Sequence, residues 1–391
     1  MATITKRRWT TGKGEKREAW VLAYTDAAGA RRKQQFEKKR DADARRVEVE
    51  GQIVGGTYRH EAATKSVEDA VTDYLNDLVA RRDRGEHVTE HYYKTTKAQL
   101  LNYVAPQPGR AISFDGGIGA VKLSQCTART ISDLRDRLRD AGVGVVTTRR
   151  ILGSLSRALT YAVSKDMMAA NPAATVRVTG KRGEGSKKVV PPTKNALAAV
   201  IKAADVNFAL KIKFAAASGL RASEMHALTW NKIDFDAREV TVDSRVDVYG
   251  NMDTTKSEAG IRKIPLAATI ATELKAWRIR SKFARDGDLV FPDTKGGYVQ
   301  HGNMLKRNFR PLLESVAETQ GRKFKPFGWH ALRHFAISTW IEAGLQPKTI
   351  QTFAGHSSLA VTMSRYGHMF PSESHTAAMD KIAASVFGNG A

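Results

Sequence analysis

The sequence WHALRH at residues 329–334 is followed by GHS at 355–357 and by SRYGH at 364–368. His330 and Arg333 are three residues apart, so on a helix they share one face. His356 follows Gly355 where the pattern indicates the start of a further helical segment, and Tyr366 lies at the end of that segment. A cluster of His, Arg and Tyr side chains is unsuited to a hydrophobic core, but it is suited to bind a phosphate and to present a nucleophile to it.

Two further motifs lie upstream of this stretch. They are SGLRASE at 218–224 and TKS at 255–257, the second of which precedes the basic run RKIPL at 262–266. Together the motifs resemble those of the tyrosine recombinase, or phage integrase, family. The resemblance covers the C-terminal half of the chain and rests on six residues in this order: Arg221, Lys256, His330, Arg333, His356 and Tyr366. Each fragment alone is a weak signal, whereas six in order are specific.

The two arginines of these motifs suit phosphoryl transfer. When an oxygen attacks a DNA phosphodiester, negative charge grows on the nonbridging oxygens, and two guanidinium groups can bind that charge in bidentate fashion. We assign this role to Arg221 and Arg333, with Glu224 as a supporting partner that orients Arg221. Loss of either arginine is expected to lower the rate about a hundredfold or more. The alternative for each is a structural ion pair.

Tyr366 would be the nucleophile. An unperturbed tyrosine has a pKa near 10, and we expect a pocket rich in Arg, His and Lys to favour the phenolate. The resemblance implies that His330 helps to take the proton and that His356 hydrogen-bonds the phosphate. Taken alone, a tyrosine at the end of an apolar segment would be a core residue, but the neighbouring GHS and SRYGH motifs favour the nucleophile.

Lys256 resembles the family lysine that protonates the leaving 5′ oxygen, which is a poor leaving group without a proton. Arg262 and Lys263 lie nearby and compete with it for this role. Metal-dependent nucleases need clustered carboxylates, whereas these motifs contain one acid, Glu224. We therefore expect no metal site and no cofactor, with activity that needs neither Mg²⁺ nor ATP. The resemblance implies that a covalent phosphotyrosine conserves the energy for rejoining.

Composition favours a nucleic acid partner. The 391 residues include 63 Lys and Arg against 40 Asp and Glu, a formal charge of +23, which is typical of a protein with a polyanionic partner. A merely basic soluble protein is the alternative. Cys126, the single cysteine, is expected to be a small buried residue. No signal peptide is visible and no apolar run of about 18 residues occurs, so we expect a cytoplasmic protein that makes no membrane contact.

The N-terminal half is predicted to contain two modules. Residues 1–60 combine a strand-like run at 18–24, a basic return strand and a charged helix, and they resemble the arm-type DNA-binding modules of some integrases. Residues 66–178 carry helical apolar stripes and resemble the helical, SAM-like core-binding domain of the same family. The candidate DNA contacts, for each of which a solvated surface role is the alternative, are Arg31, Arg32, Lys33, Arg149, Arg150 and Arg157.

A basic, Gly-rich linker at 179–192 separates these modules from residues 193–391, which are predicted to form helices around a small sheet and a C-terminal helix that packs in cis or in trans. The fold class is therefore multidomain and mainly α with small β-sheets (α+β). The target DNA sequence and the balance between integration and excision are not readable from the chain.

The resemblance implies a site-specific recombinase that cleaves and rejoins double-stranded DNA at the attachment sites of a phage or other mobile element. It would act as a homotetramer in the synapse and as a monomer when free, with DNA-bending and excision proteins as further partners. One alternative is a DNA-binding regulator without catalysis, in which residues 345–366 form a helix-turn-helix. The other is a type IB topoisomerase-like enzyme that relaxes DNA without site preference.

Overall fold

The computed structural model describes residues 2–12, 14–26, 29–181, 184, 189–254, 260–370 and 375–387. Contacts within the chain divide it into two units, Met1–Lys187 and Lys188–Ala391. The division lies within the segment 179–192, and each unit is described by itself below.

The first unit begins with a three-stranded antiparallel sheet in the order β1-β2-β3. Its strands are β1 (Thr3–Thr10), β2 (Lys16–Thr25) and β3 (Arg31–Phe36), and helix α1 (Lys39–Val54) follows. As the alternation in β2 predicts, Leu22 and Tyr24 share one face and are buried against Val49 of α1 and Tyr58. Strand β1 was not predicted, because its mostly exposed polar and basic side chains give no apolar period.

The rest of the first unit is helical. Its helices are α2 (His60–Thr64), α3 (Val67–Asp83), α4 (Glu90–Gln99), α5 (Ala128–Asp140) and α6 (Val145–Ser164). Ser66 caps α3, because its side chain accepts from the Asp69 amide at 3.2 Å while the Asp69 carboxylate accepts from the Ser66 amide at 2.7 Å. Cys126 is buried in the shared apolar core, and burial raises the pKa of its thiol to about 11.

The second unit is also mainly helical. Its helices are α7 (Lys194–Ala203), α8 (Val206–Ser218), α9 (Ala222–His226), α10 (Ala268–Arg280), α11 (His301–Met304), α12 (Arg310–Gln320), α13 (His330–Glu342), α14 (Pro347–Ala354), α15 (Leu359–Tyr366) and α16 (His375–Phe387). Its strands are β4 (Ile233–Asp234), β5 (Glu239–Val242), β6 (Ser244–Val246), β7 (Met252–Thr254) and β8 (Arg262–Pro265). Together the two units confirm the predicted fold class.

The strands of this unit form the sheet β4-β5-β8 and the separate pair β6-β7. An apolar core centred on side chains such as Phe214, Trp230 and Phe309 holds the sheet and the helices together. Helix α16 is different, because its described apolar side chains, Met379, Ile382, Val386 and Phe387, are exposed. Of the helices in the described part of the chain, none is long and apolar enough to cross a membrane.

Candidate active site

Arg221 lies at the start of α9, where the chain turns sharply after α8. Gly219 makes that turn with a φ of 61°, a left-handed conformation that favours glycine, and a Cβ there would lie 2.8 Å from the Trp340 ring. The Arg221 guanidinium then donates to Glu224 Oε1 at 2.7 Å and to the Gly355 carbonyl at 2.9 Å. Its side chain is 40% exposed, so Arg221 is held in place while it remains open to solvent.

Glu224 is a buried carboxylate shared by two arginines. Besides Arg221, it accepts hydrogen bonds from Arg262 at 2.8 Å and 3.3 Å. Burial opposes its ionisation, but the hydrogen bonds and charges of Arg262 and Arg221 outweigh that effect and lower the pKa of Glu224 to about 2. Glu224 is therefore ionised at neutral pH and orients Arg221, as the sequence predicted it would.

Arg333 comes from the first turn of α13 and is buried, with 3% exposure. It donates to the Gly219 carbonyl at 2.7 Å and also to the Ala354 carbonyl. Burial, followed by the positive charge of Arg221, lowers its pKa. Arg221 and Arg333 thus bind adjacent carbonyls at the C-terminal end of α14, so the structure brings together two arginines that are far apart in the sequence.

His330 and His334 are one helical turn apart on α13. Their ring centroids lie 4.7 Å apart in an edge-to-face arrangement, and His330 is exposed. The protein packed around each ring lowers the pKa of both histidines, with the charge of Arg333 acting in the same direction. The pKa of His334 falls to about 4, so this ring is neutral at pH 7.

Tyr366 is the last residue of α15, as predicted, but its side chain is only 1% exposed. Its hydroxyl lies 2.5 Å from His334 Nδ1, and its ring stacks on His356 with a centroid distance of 6.2 Å. Burial raises the pKa of Tyr366, although Arg333 and Arg365 act against this. The prediction that the basic pocket favours the phenolate is therefore wrong for this conformation, because desolvation outweighs the nearby cations.

From the sequence, His330 was predicted to accept the proton of Tyr366, and no role was predicted for His334. The side chain that contacts the Tyr366 hydroxyl is, however, His334. The signal was present in the spacing of the WHALRH motif, because residues four apart on a helix face the same side. Family resemblance directed attention to His330 instead.

His356 is buried between α14 and α15, and its Nδ1 lies 2.9 Å from the Thr362 hydroxyl. Burial, followed by the charge of Arg333, lowers its pKa to about 3. His356 is therefore neutral and has a fixed ring orientation. It follows directly after the carbonyls at the end of α14 that accept hydrogen bonds from Arg221 and Arg333.

The predicted proton donor, Lys256, lies outside the described residues. Its two competitors lie on β8, where alternation buries Arg262 and exposes Lys263. Arg262 is paired with Glu224, and Lys263 is paired with Glu239 at 2.9 Å. In the parts of the chain that the structure describes, no three His, Cys, Asp or Glu side chains are grouped so that they could hold a metal ion.

The candidate DNA contacts of the N-terminal sheet divide between its two faces. Arg31 and Lys33 pair with Thr25 and Ala23, and they point away from α1 because side chains alternate along a strand. Arg32 lies opposite Tyr24 on the α1 side and forms an ion pair with the buried Asp26 at 2.9 Å. The structure therefore separates Arg32 from its two basic neighbours.

The three arginines of α6 line one cleft of about 410 Å³ with Tyr92 and Gln99 of α4. The Arg157 guanidinium lies over the Tyr92 ring, 5.6 Å from its centroid, and donates to Ser154 Oγ at 2.8 Å. Arg149 donates twice to the Val178 carbonyl at 3.0 Å. The structure brings these arginines together, although Arg149 also holds the segment that leads into the linker.

The sequence model of the phage integrase family matches residues 189–373, a range that contains all six predicted catalytic residues. The C-terminal half of the chain therefore contains a phage integrase family domain. The XerC-like tyrosine recombinase of Caldanaerobacter subterraneus subsp. tengcongensis is 25% identical over 65% of this chain and 70% of its own length. The ICEBs1 integrase of Bacillus subtilis is 24% identical over 64% and 69% of the two chains.

Solved structures support the same assignment at the level of the fold. The Tn1549 transposon integrase in complex with transposon right end DNA has a TM-score of 0.63 at 22% identity, over 79% of this chain and 99% of that one. A lambda integrase dimer bound to a COC′ core site has a TM-score of 0.56 at 15% identity, over 92% and 94%. This integrase is thus a tyrosine recombinase, a DNA strand-breaking and rejoining enzyme of site-specific recombination. Both the regulator and the topoisomerase alternatives are disfavoured.

Proposed function

We propose that Tyr366 attacks a phosphodiester at a specific DNA attachment site and so integrates or excises a phage or other mobile element. A bond forms between the Tyr366 oxygen and phosphorus, and the bond from phosphorus to the 5′ oxygen breaks. The electron pair leaves with that oxygen, which takes up a proton. The resulting 3′-phosphotyrosine is reversed by attack of a 5′ hydroxyl, which rejoins the strand.

The convergence of Arg221 and Arg333 on the adjacent carbonyls of Gly355 and Ala354 is the observation that carries this proposal. Backbone hydrogen bonds fix both guanidinium groups before any substrate arrives, and preorganised donors are the main source of transition-state stabilisation at sites of this kind. Arg221, which is partly exposed, would contact the phosphate directly. The buried Arg333 would fix the Gly219 and Ala354 carbonyls through its hydrogen bonds and add positive charge close to the phosphate.

His356 is suited to donate to a nonbridging oxygen. Because its ring is neutral, its Nδ1 can accept a hydrogen bond from the Thr362 hydroxyl, which lies 2.9 Å away. The ring proton is then on Nε2, which becomes a fixed donor. His330, which is exposed at the start of α13, would take up the proton that the Tyr366 hydroxyl loses as it attacks phosphorus. Lys256 is assigned the protonation of the leaving oxygen through the family resemblance, and Glu224 is assigned the orientation of Arg221.

Tyr366 would occupy a resting position when no DNA is bound. A buried hydroxyl cannot meet a phosphate of a DNA duplex, so cleavage requires the end of α15 to move. The hydrogen bond to His334 would hold the hydroxyl until then, and the raised pKa would keep it protonated. Release toward Arg221 would place the phenol among cations that favour its ionised form.

The modules of the first unit would position the enzyme on DNA. We assign residues 1–60 to an arm-type module that presents Arg31 and Lys33 on its open sheet face, and residues 66–178 to a core-binding domain. In the latter, Arg150 and Arg157 would contact phosphates along the α4–α6 cleft. Residues 179–192 would link these modules to the catalytic domain, 193–391.

The proposed substrate is double-stranded DNA, and the proposed active form is a homo-oligomer. A solved lambda integrase tetramer is bound to a Holliday junction, and we propose a tetramer for this chain in its synapse and a monomer when free. The exposed apolar side chains of α16 support a contact between subunits. DNA-bending and excision proteins are proposed as accessory partners, and the cytoplasm, where that DNA lies, is the proposed location.

Covalent trapping tests the function. The protein is incubated with a nicked duplex that carries the attachment site of its own element, so that the cleaved strand cannot be rejoined. We expect a denaturation-resistant protein–DNA adduct that is absent with Tyr366→Phe. No adduct on the correct DNA, or an adduct that persists in Tyr366→Phe, would contradict the proposal.

A further inference from the structure

Arg262 lies in the basic run that precedes Pro265 and has no role in the mechanism above. The alternation of β8 turns its side chain inward, where it is 1% exposed, while the neighbouring Lys263 faces outward. A fully buried guanidinium is expensive unless every donor finds a partner. The partners of Arg262 therefore indicate what it does.

Those partners come from three segments of the catalytic domain. Arg262 donates to both carboxylate oxygens of Glu224, to the Phe353 carbonyl at 2.8 Å and to the Gly260 carbonyl at 3.0 Å. Phe353, Ala354 and Gly355 form the C-terminal end of α14, where Arg333 and Arg221 bind the Ala354 and Gly355 carbonyls. Arg262 thus joins the segment that carries Arg221 to the end of the helix that leads to His356.

Gly355 shows how closely these parts pack. Its φ of +60° favours glycine, and a Cβ at this position would lie 2.8 Å from Arg262 Nη1. A side chain at 355 would therefore displace either Arg262 or the C-terminal end of α14. Gly355 also accepts the hydrogen bond from Arg221, so a shift of Arg262 would move the residue that positions Arg221.

The charges give Arg262 a further effect. The single negative charge of Glu224 is shared between Arg221, which is partly exposed, and Arg262, which is buried. Without Arg262, Arg221 would be the only cation bonded to that carboxylate, and the pair would carry no net charge. With Arg262 present, the three side chains together carry a net positive charge next to the proposed phosphate site.

We propose that Arg262 is a positioning residue that offsets the charge of Glu224 and so leaves Arg221 free to bind the scissile phosphate. The inference rests on the proposed function and assigns no proton transfer to Arg262. It predicts that the need for Arg262 disappears once Glu224 is neutral. A residue that acted only as a structural cross-link would be needed whether or not Glu224 is charged.

A double-mutant cycle separates these two roles. The rate of adduct formation on the nicked duplex is measured in a single turnover for the wild type, Arg262→Met, Glu224→Gln and the double variant, together with the thermal unfolding of each. We expect Arg262→Met to lower the rate about a hundredfold in the wild-type background. In the Glu224→Gln background we expect the same change to lower it by less than about tenfold, even though the melting temperature falls in both.

Equal losses of rate in the two backgrounds, or a wild-type rate in Arg262→Met, would overturn the proposal. If Arg262→Met alone does not fold, Arg262→Lys replaces it in both backgrounds, since it keeps the charge but loses the hydrogen bonds to Phe353 and Gly260. Arg262→Lys should then retain the rate of adduct formation to within about tenfold in both backgrounds. A hundredfold loss in either background would contradict the proposal that Arg262 acts through its charge. A wild-type protein that forms no adduct would instead contradict the proposed function itself.

Discussion

His334 Nδ1 and the hydroxyl of Tyr366 form a hydrogen bond of 2.5 Å inside the catalytic domain, where the tyrosine is almost completely buried. The bond joins α13 to the last residue of α15. Tyr366, the proposed nucleophile, is thus protected from solvent in this position, but its hydroxyl is also out of reach of a DNA duplex.

The contact between His334 and Tyr366 should stabilise the fold measurably. His334→Ala leaves the buried phenol without its partner, which should lower the free energy of unfolding by about 1–3 kcal/mol. Tyr366→Phe removes the same hydrogen bond from the other side. The losses in the free energy of unfolding, measured by urea denaturation, should therefore not be additive. The loss in the double variant should be smaller than the sum of the two single losses by about 1 kcal/mol. Strict additivity would show that the hydrogen bond does not stabilise the fold.

Neutral His356 should make stability depend on pH. The pKa of His356 is about 3 in the folded protein, below the ordinary value of 6.5 that applies to the unfolded chain. Its contribution to the free energy of unfolding is therefore complete above pH 6.5 and is lost as the pH falls from 6.5 toward 3. Between pH 7.5 and 5.0 the wild type should lose roughly 1–2 kcal/mol more than His356→Gln, which cannot titrate. The same loss in both proteins, measured by urea unfolding, would contradict a buried neutral His356.

Arg221 and Arg333 should respond differently to replacement, although both are proposed to act on the same phosphate. Arg221→Ala removes a partly exposed side chain, so adduct formation should fall about a hundredfold or more while the melting temperature changes little. Arg333→Ala leaves the Gly219 and Ala354 carbonyls without their buried donor and should lower both quantities. Single-turnover cleavage rates and melting temperatures, measured for both variants, distinguish the role of Arg221 from that of Arg333. Equal destabilisation by both changes would contradict the assignment of Arg221 to the phosphate.

The open face of the N-terminal sheet should contribute to DNA affinity through Arg31 and Lys33. Replacing both with Ala should weaken binding to duplex DNA and reduce the slope of log affinity against log salt by about 2, since each phosphate contact contributes roughly 0.9. Arg32→Ala is the matched control, because its ion pair with Asp26 serves the sheet. It should leave the slope unchanged, as fluorescence anisotropy at several salt concentrations can show. A larger effect from Arg32→Ala would reverse the assignment of the two faces.

Much of the fold follows from local patterns. The helical apolar stripes of residues 66–178, the small sheet of the C-terminal half and the place of Tyr366 at the end of α15 were all predicted from spacing and residue type. Strand β1 was not, because an edge strand with polar side chains carries no apolar period and is defined by its pairing with β2.

The site was only partly predictable for a related reason. Motifs indicate which residue types take part, but they do not give burial. The raised pKa of Tyr366 depends on desolvation by residues from several helices. The pairing of Glu224 with Arg262 joins two segments that no local pattern connects. The family resemblance also drew attention to His330, whereas the tertiary structure places His334 at the hydroxyl.

The identity of the residue that becomes joined to DNA tests the central claim most directly. After trapping on a nicked duplex, the protein is digested with trypsin and the DNA-linked peptide is sequenced by mass spectrometry. We predict a phosphodiester link at Tyr366, in the peptide that begins after Arg365. A link at any other residue, or a trapped complex without a covalent link, would contradict the account.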